Sequence, residues 1–371
     1  MGFSQVAVLA SAQTELRPAW NDAQHIDLIS AVVTNVFKGT GLSLDDVDFV
    51  IDSGSDVLDG RSISNCGFLG ALGAHHKEEA RVEEDGLWAA LYGVNKIRSG
   101  GSQIGLIVAY SKPSESDVDL YWSSMVEPFY QRPVGFGQKA ALGIQAQRYL
   151  AAHGIKDRDL ADVVARRWAA AATNGKVSMD NAPDADAVLG SGDAATPLTQ
   201  LMISRPVDGA VALLIGSEDV ARRYGRAPVF ITGMGTSMDT HSFAERTSNK
   251  IDSVAAATKM ALGKAGWASA KDADLIEMSG SSAIGELLAL EGLGLADAGK
   301  GLDAAQADTV NRSGGALPAD PLMATGLIRL AEATKQLAAP ASPGGAAPTK
   351  AIVHGTGGVA MQTNCVFTLE V

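Results

Sequence analysis

The chain has 371 residues, 42 of them acidic and 30 basic, a formal net charge of −12 and two cysteines. That length buries a large core and suggests two or three units. The charge argues against nucleic acid or an anionic membrane as the main partner, and two cysteines are too few for a disulfide framework and suit a reducing compartment.

The opening MGFSQVAVLASAQTEL lacks a basic n-region and alternates like a first strand, so no signal peptide is expected. No apolar run approaches ~20 residues, which removes a spanning helix, and a cytoplasmic protein is the expectation. In chain order the pattern predicts strand 6–11, helix 26–39, strand 47–53, helix 86–98 and strand 104–111. From Lys112 to about Pro206 the chain is richer in aromatic and charged residues, with helical stretches through IQAQRYLAAHGI and DLADVVARRWAAAATN. This segment reads as an insertion that caps the site. Strand 209–217 returns to the sheet. After Arg226 come VFITGMGTSM, helix 251–265, strand 274–278, helix IGELLALEGLG, strand 307–311 and helix LMATGLIRLAEATKQL. Strands AIVHG and NCVFTLEV close the chain after a Pro/Gly/Ala loop at 338–349.

The two halves repeat each other. DDVDFVIDSGS at 45–55 returns as KDADLIEMSGS at 271–281, 226 positions on. Upstream, Ile26-Asp27 and Ile251-Asp252 open matching amphipathic runs stopped by glycine. A long repeat that occurs twice points to a duplicated α/β half rather than a solenoid. Alternating strands and helices in two similar sets imply stacked α/β layers, and the site is expected where strand ends of the two halves meet.

Three segments carry a resemblance: ARVEEDGLWAALYGVNKIRSGGSQIGLIVAYSK (80–112), NRSGGALPADPLMATG (311–326) and HGTGG (354–358). Together they resemble the thiolase superfamily, nearest to its bacterial sterol-carrier-type and lipid-transfer thiolase-like branch. The resemblance covers essentially the whole chain. It implies a duplicated five-layer αβαβα fold, usually dimeric, that handles acyl-CoA thioesters, with CoA as part of the substrate. It divides the chain into an N-terminal half (1–112 with 207–225), a loop or cap insertion (113–206) and a C-terminal half (226–371).

Against the family pattern, Glu83 takes the place of the nucleophilic cysteine, counting back from Gly100. Ser279, Gly280, Ser281 and Ser282 correspond to the element that orients the thioester carbonyl. Ala319-Asp320-Pro321 replaces Gly-His-Pro, and His354 replaces the second catalytic cysteine. The glycine-rich loops remain, including Gly314, Gly315, Gly355, Gly357 and Gly358.

Thiolysis through an acyl-enzyme needs a low-pKa thiol, and a carboxylate at position 83 forms no comparably useful thioester. Carbon–carbon cleavage beside a thioester needs only an oxyanion hole and an acid/base pair. His354 and Asp320 are the candidate pair, Glu83 a pocket carboxylate, and Ser279, Asn311, Gly315, Gly357 and Gly358 the candidate substrate contacts. His241, Arg246 and Lys250 lie where the family holds the CoA phosphates. Cysteine-less members of the branch perform retro-aldol cleavage of β-hydroxyacyl-CoA, usually with a small zinc-ribbon/OB-fold partner, and the resemblance implies that reaction class.

Plainer readings stand beside these. Glu83-Glu84-Asp85 also suits an acidic first helical turn, His354 a structural histidine, and Asp320 a turn former or cap. The aromatic stretch Tyr121, Trp122, Phe129 and Tyr130 reads as cap or dimer core rather than substrate wall, and Cys66 and Cys365 as buried small hydrophobes. The six histidines show no metal-binding spacing, so no metal is expected. Two rivals to the lyase remain: a catalytically silent subunit of a hetero-oligomer, and an acyltransferase with non-standard residues.

Overall fold

The computed structural model describes residues 5–223, 228–247, 249–340 and 346–371. The first half runs β1 (Val6–Gln13), α1 (His25–Val36), β2 (Phe49–Ser53), β3 (Glu78–Val82), α2 (Gly86–Arg98) and β4 (Ile104–Ser111). The chain then leaves the main sheet for α3 (Val118–Ser124), α4 (Gln138–His153) and α5 (Asp157–Asn174), and returns as β5 (Gly209–Ser217). The second half runs β6 (Val229–Met238), α6 (Asp252–Ala265), β7 (Leu275–Met278), α7 (Ala283–Gly292), α8 (Thr325–Leu337), β8 (Lys350–Gly357) and β9 (Thr363–Glu370). The boundary expected near Arg226 and residues 341–345 of the expected loop lie outside the described residues. No helix among the described residues is long and apolar enough to cross a membrane.

Nine strands join in the order β3-β2-β4-β5-β1-β6-β9-β8-β7, and the halves meet where β1 pairs antiparallel with β6. The repeat is structural: β2 begins at Phe49 and β7 at Leu275, 226 residues on. β2 runs parallel to β4 on one side and β3 on the other. β7 likewise runs parallel to β8, with Val310 making a single parallel bridge to Ile276 on its far side. The predicted strand 307–311 is reduced to that one bridge. β3, in contrast, was not legible, because EEARV is an edge strand without apolar alternation and its two glutamates are exposed.

Period-two alternation sorts the strand side chains into layers. Phe49, Ile51, Ile107 and Ala109 from the first half, and Ala351, Val353 and Phe367 from the second, pack around Leu87 and Val94 of α2 and Leu327 and Leu330 of α8. The opposite parity, Val50, Leu106 and Val108, packs on Leu28 and Val32 of α1. Ile276, Ile352 and Val366 pack with Val254 and Ala257 of α6. The result is a five-layer αβαβα sandwich with α2 and α8 at its centre.

These two central helices meet at their N-termini. A Cβ at Gly86 would fall 2.7 Å from Leu327 Cβ, and one at Gly326 would fall 2.0 Å from Asp85 Oδ1. Asp85 caps α2: its Oδ1 accepts from Leu87 N–H at 2.9 Å, while its Oδ2 accepts from Gly326 N–H in the first turn of α8 at 2.7 Å. One buried carboxylate therefore satisfies donors that both helices would otherwise leave orphaned. Burial pushes Asp85 up to about 8, against the opposing pull of the Gly326 and Leu87 amides.

Gly326→Ala should cost at least about 2 kcal/mol, since overpacking here strikes a cap as well as a side chain. Gly263→Ala is the control: nothing lies within 4 Å of a Cβ in that exposed stretch of α6, so it should gain about 0.5–1 kcal/mol. Urea unfolding of the two variants checks the opposite signs.

Candidate active site

The C-terminal end of β7, the tip of β8 and the loop entering α8 converge beneath the cap helix α3. They enclose a small chamber of ≈ 30 Å³ lined by Tyr121, Trp122, Ser279, Ser281, Asp320 and Thr325, with Thr356, Gly357 and Gly358 at the β8 tip. The chamber adjoins an outer cavity of ≈ 540 Å³, with which it shares Trp122, Ser281 and Leu322. Val118, Leu201 and Ile203 add apolar wall there. A narrow reactive end opening into a wider, largely apolar space is the usual shape of a small-molecule site.

The loop that carries Asp320 is fixed by a buried polar network. Met278 N–H donates to Asn311 Oδ1 at 2.8 Å, and Asn311 Nδ2 donates to Glu286 Oε2 at 3.1 Å. Glu286 in turn pairs with Arg167, and Glu277 pairs with Arg329 at 3.0 Å and accepts from Ser313. Asn311 itself sits at φ 50, and Gly315 at φ 68 turns the chain beside it. Asn311 and Gly315, expected to face substrate, instead brace the loop from behind and do not line the chamber. Both carboxylates in the network face an arginine, which is the condition for burying charge.

Asp320 is in the chamber wall. Its Oδ2 accepts from Ser204 Oγ at 2.6 Å, and its Oδ1 accepts from Thr325 Oγ1 at 2.6 Å and from Leu322 N–H at 3.1 Å. Burial raises its pKa, opposed first by the Ser204 and Thr325 hydroxyls. Ser279 and Ser281 are buried, and neither hydroxyl has a hydrogen-bond partner among the described residues. Unpaired buried hydroxyls in a cavity wall are costly unless a ligand completes them.

The expected His354–Asp320 pair is not formed in this structure. His354 is fully buried in β8, in register with Met278 of β7 and Val366 of β9. Its Nε2 hydrogen-bonds Asn364 Oδ1 at 2.9 Å, and it does not line the chamber. Burial lowers its pKa to about 4, so it is neutral at physiological pH. The strand alternation that turns Gly355 toward Asp85 and Leu87 and Gly357 toward Glu84 puts His354 on the opposite face of the sheet. Glu83 is also displaced: it is half-exposed, pairs with Arg81 Nε at 2.5 Å and accepts from Asp56 N–H at 2.9 Å. The carboxylate that packs against the β8 tip is Glu84. A Cβ on Gly357 would fall 1.8 Å from Glu84 Oε1, which also accepts from Thr363 Oγ1 at 3.3 Å. Burial raises its pKa.

The aromatic stretch divides. Tyr121 and Trp122 form chamber wall, whereas Phe129 and Tyr130 are 80% and 83% exposed. Cys66 is exposed on a 3-10 turn, contrary to expectation, and Cys365 is buried in β9. Arg246 and Lys250 do line one polar cavity of ≈ 190 Å³, together with Asp239, Glu245 and Asp252. Arg246 there donates to the carbonyls of Thr240, Val359 and His241, Lys250 pairs with Asp252, and His241 bonds Met125 O. Among the described residues no group of three or more His, Cys, Asp and Glu is placed to hold a metal.

Residues 235–369 match the family model described as thiolase C-terminal domain-like. Over that C-terminal stretch the chain is similar to the thiolase superfamily, and its layered architecture is the thiolase fold. It is 25% identical over 353 residues, 90% of each chain, to the acetyl-CoA acetyltransferase of Methanothermobacter thermautotrophicus. It is 26% identical over 227 residues, 58% of this chain and 59% of the other, to the benzoylsuccinyl-CoA thiolase subunit BbsB of Thauera aromatica. Among solved structures, the Ltp2-ChsH2(DUF35) aldolase superposes with TM-score 0.83 at 20% identity, covering 99% of this chain and 98% of that one. Human mitochondrial 3-ketoacyl-CoA thiolase superposes with TM-score 0.72 at 18% identity over the same shares.

His354→Gln tests the structural assignment of that residue. The unfolded histidine takes up a proton near 6.5 and the folded one only near 4. Wild-type stability should therefore fall as pH drops from about 6.5 to about 4, by up to ~1.4 kcal/mol per pH unit from this group. The variant should lose that share of the slope in urea unfolding at pH 4.5 and 7. An unchanged slope would mean the imidazole is not held neutral.

Proposed function

We propose that this chain breaks or makes a carbon–carbon bond beside a CoA thioester without forming an acyl-cysteine, with retro-aldol cleavage of a β-hydroxyacyl-CoA as the reaction. The supporting observation is the chamber wall, which offers a carboxylate and several hydroxyls and, among the described residues, no thiol. In this reading Asp320 accepts the proton of the β-hydroxyl. The Cα–Cβ electron pair moves into the thioester, whose oxygen takes hydrogen bonds from Ser279 and Ser281, the unpaired hydroxyls acting as an oxyanion hole. The β-carbon leaves as an aldehyde or ketone, and the enolate takes a proton at Cα to give a shortened acyl-CoA. No oxidant, reductant or free CoA is consumed, and CoA enters only as part of the substrate.

The names of the relatives, an acyltransferase, a thiolase subunit and an aldolase, agree with thioester chemistry for this chain. The aldolase neighbour is named as an assembly of two proteins. On that likeness the zinc-ribbon/OB-fold partner expected from the sequence is part of the proposal, with a homodimer of this chain at its core.

The chain, alone and with a co-encoded partner, should release a carbonyl product from a panel of β-hydroxyacyl-CoA thioesters in the absence of free CoA. Asp320→Asn should lower kcat by about 10²–10⁴-fold. Because burial raises the Asp320 pKa, activity should fall as pH drops, with the acid limb above the ordinary carboxylate range. Cleavage that requires free CoA would sink the lyase reading in favour of thiolysis. No turnover with any partner would instead favour the silent subunit.

A further inference from the structure

Asp320 accounts for the β-oxygen, but the proton that the enolate takes at Cα still needs a donor. We propose that Tyr121 is that donor, a catalytic residue supplied by the cap, an inference that rests on the lyase reading of the same chamber. Its placement is rigid. Asp117 caps α3 through Leu120 N–H at 2.9 Å, and Tyr121 N–H donates to Asp117 O at 2.9 Å. The ring is 4% exposed, packs with Leu58, Leu322 and Met323, and meets the Trp122 ring edge-on at 4.9 Å.

The hydroxyl is available. Within the described residues the hydrogen bonds of Tyr121 involve its backbone, N–H to Asp117 O and C=O from Ser124 Oγ. The other hydroxyls of the wall are committed or much weaker acids. Thr325 donates to Asp320 and Thr356 to Thr363 O at 3.0 Å. Ser279 and Ser281 are aliphatic alcohols, less acidic than a phenol. Burial, and then the charges of Glu84, Asp320, Glu83 and Asp85, hold the phenol above its usual range, so it is protonated when substrate arrives.

The step balances. Asp320 takes the β-hydroxyl proton as the Cα–Cβ bond breaks, and the Tyr121 O–H bond breaks as the new Cα–H bond forms. The carboxylic acid then returns its proton to the phenolate, so both groups are restored and no co-reactant is needed.

The test uses 3-hydroxy-2-methylbutanoyl-CoA in D2O, with the full chain and its partner if cleavage requires one. Wild type should release acetaldehyde and a propionyl-CoA carrying deuterium at one face of Cα. Tyr121→Phe, which keeps the ring and should melt within a few degrees of wild type, should lose about 10²–10⁴-fold in kcat with KM changed less than about threefold. Its residual product should carry deuterium at both faces, because solvent then protonates the enolate. An unchanged kcat with single-face delivery would overturn the inference and leave the lyase reading standing. A wild type that cleaves neither this probe nor the wider panel overturns both.

Discussion

The site depends on one carboxylate shared by two helices. Asp85 caps α2 and also accepts from the first turn of α8, so the N-termini of the duplicated central helices are held at contact distance. Both positive helix ends point at it, which favours a negative group there, while burial works against the charge. Glycine at 86 and 326 is what permits the approach. From this junction the chamber is built outward. The residue before Asp85 presses on the β8 tip at Gly357, and the residue before Gly326 donates to Asp320.

The same electrostatics decide which chemistry fits. Cys365 lies in the central layer, where burial first, and then the charges of Asp85 and Glu84, push its thiol well above its normal pKa. A thiolate needs the reverse, a helix N-terminus or a cation without competing carboxylates. Cys66 is on the exterior. Burial, which weakens the Cys365 thiol as an acid, also raises the carboxyl of Asp320, and together with the neighbouring carboxylates it raises the phenol of Tyr121. The buried carboxyls and the absence of a thiol from the chamber wall are what the proposed lyase reading rests on.

The fold was legible because it rests on periodicity that neighbours enforce. Helix 86–98 and strands 104–111 and 209–217 match the observed bounds residue for residue, and each is a continuous or alternating apolar run. The duplicated segment also located the chamber, since Ser279 and Ser281 follow β7. The failures share a physical cause. β3 and the Val310 bridge lie at the two sheet edges, where side chains need not be apolar. His354 was assigned by its position in a pattern, but the face on which a strand residue emerges depends on register. A shift of one residue distinguishes Glu83 from Glu84 in the same way. Tyr121 carried no motif at all: it reaches the chamber through a cap inserted between β4 and β5, and no spacing in the sequence records that contact.

The account stands or falls on whether sulfur takes part. A cysteine-free chain, Cys66→Ser with Cys365→Ala, measured for cleavage of a β-hydroxyacyl-CoA with any required partner, addresses that directly. The variant should keep kcat within about threefold of wild type, since neither cysteine lines the chamber. Loss of turnover in a variant that still folds would contradict it and return the chemistry to an acyl-enzyme.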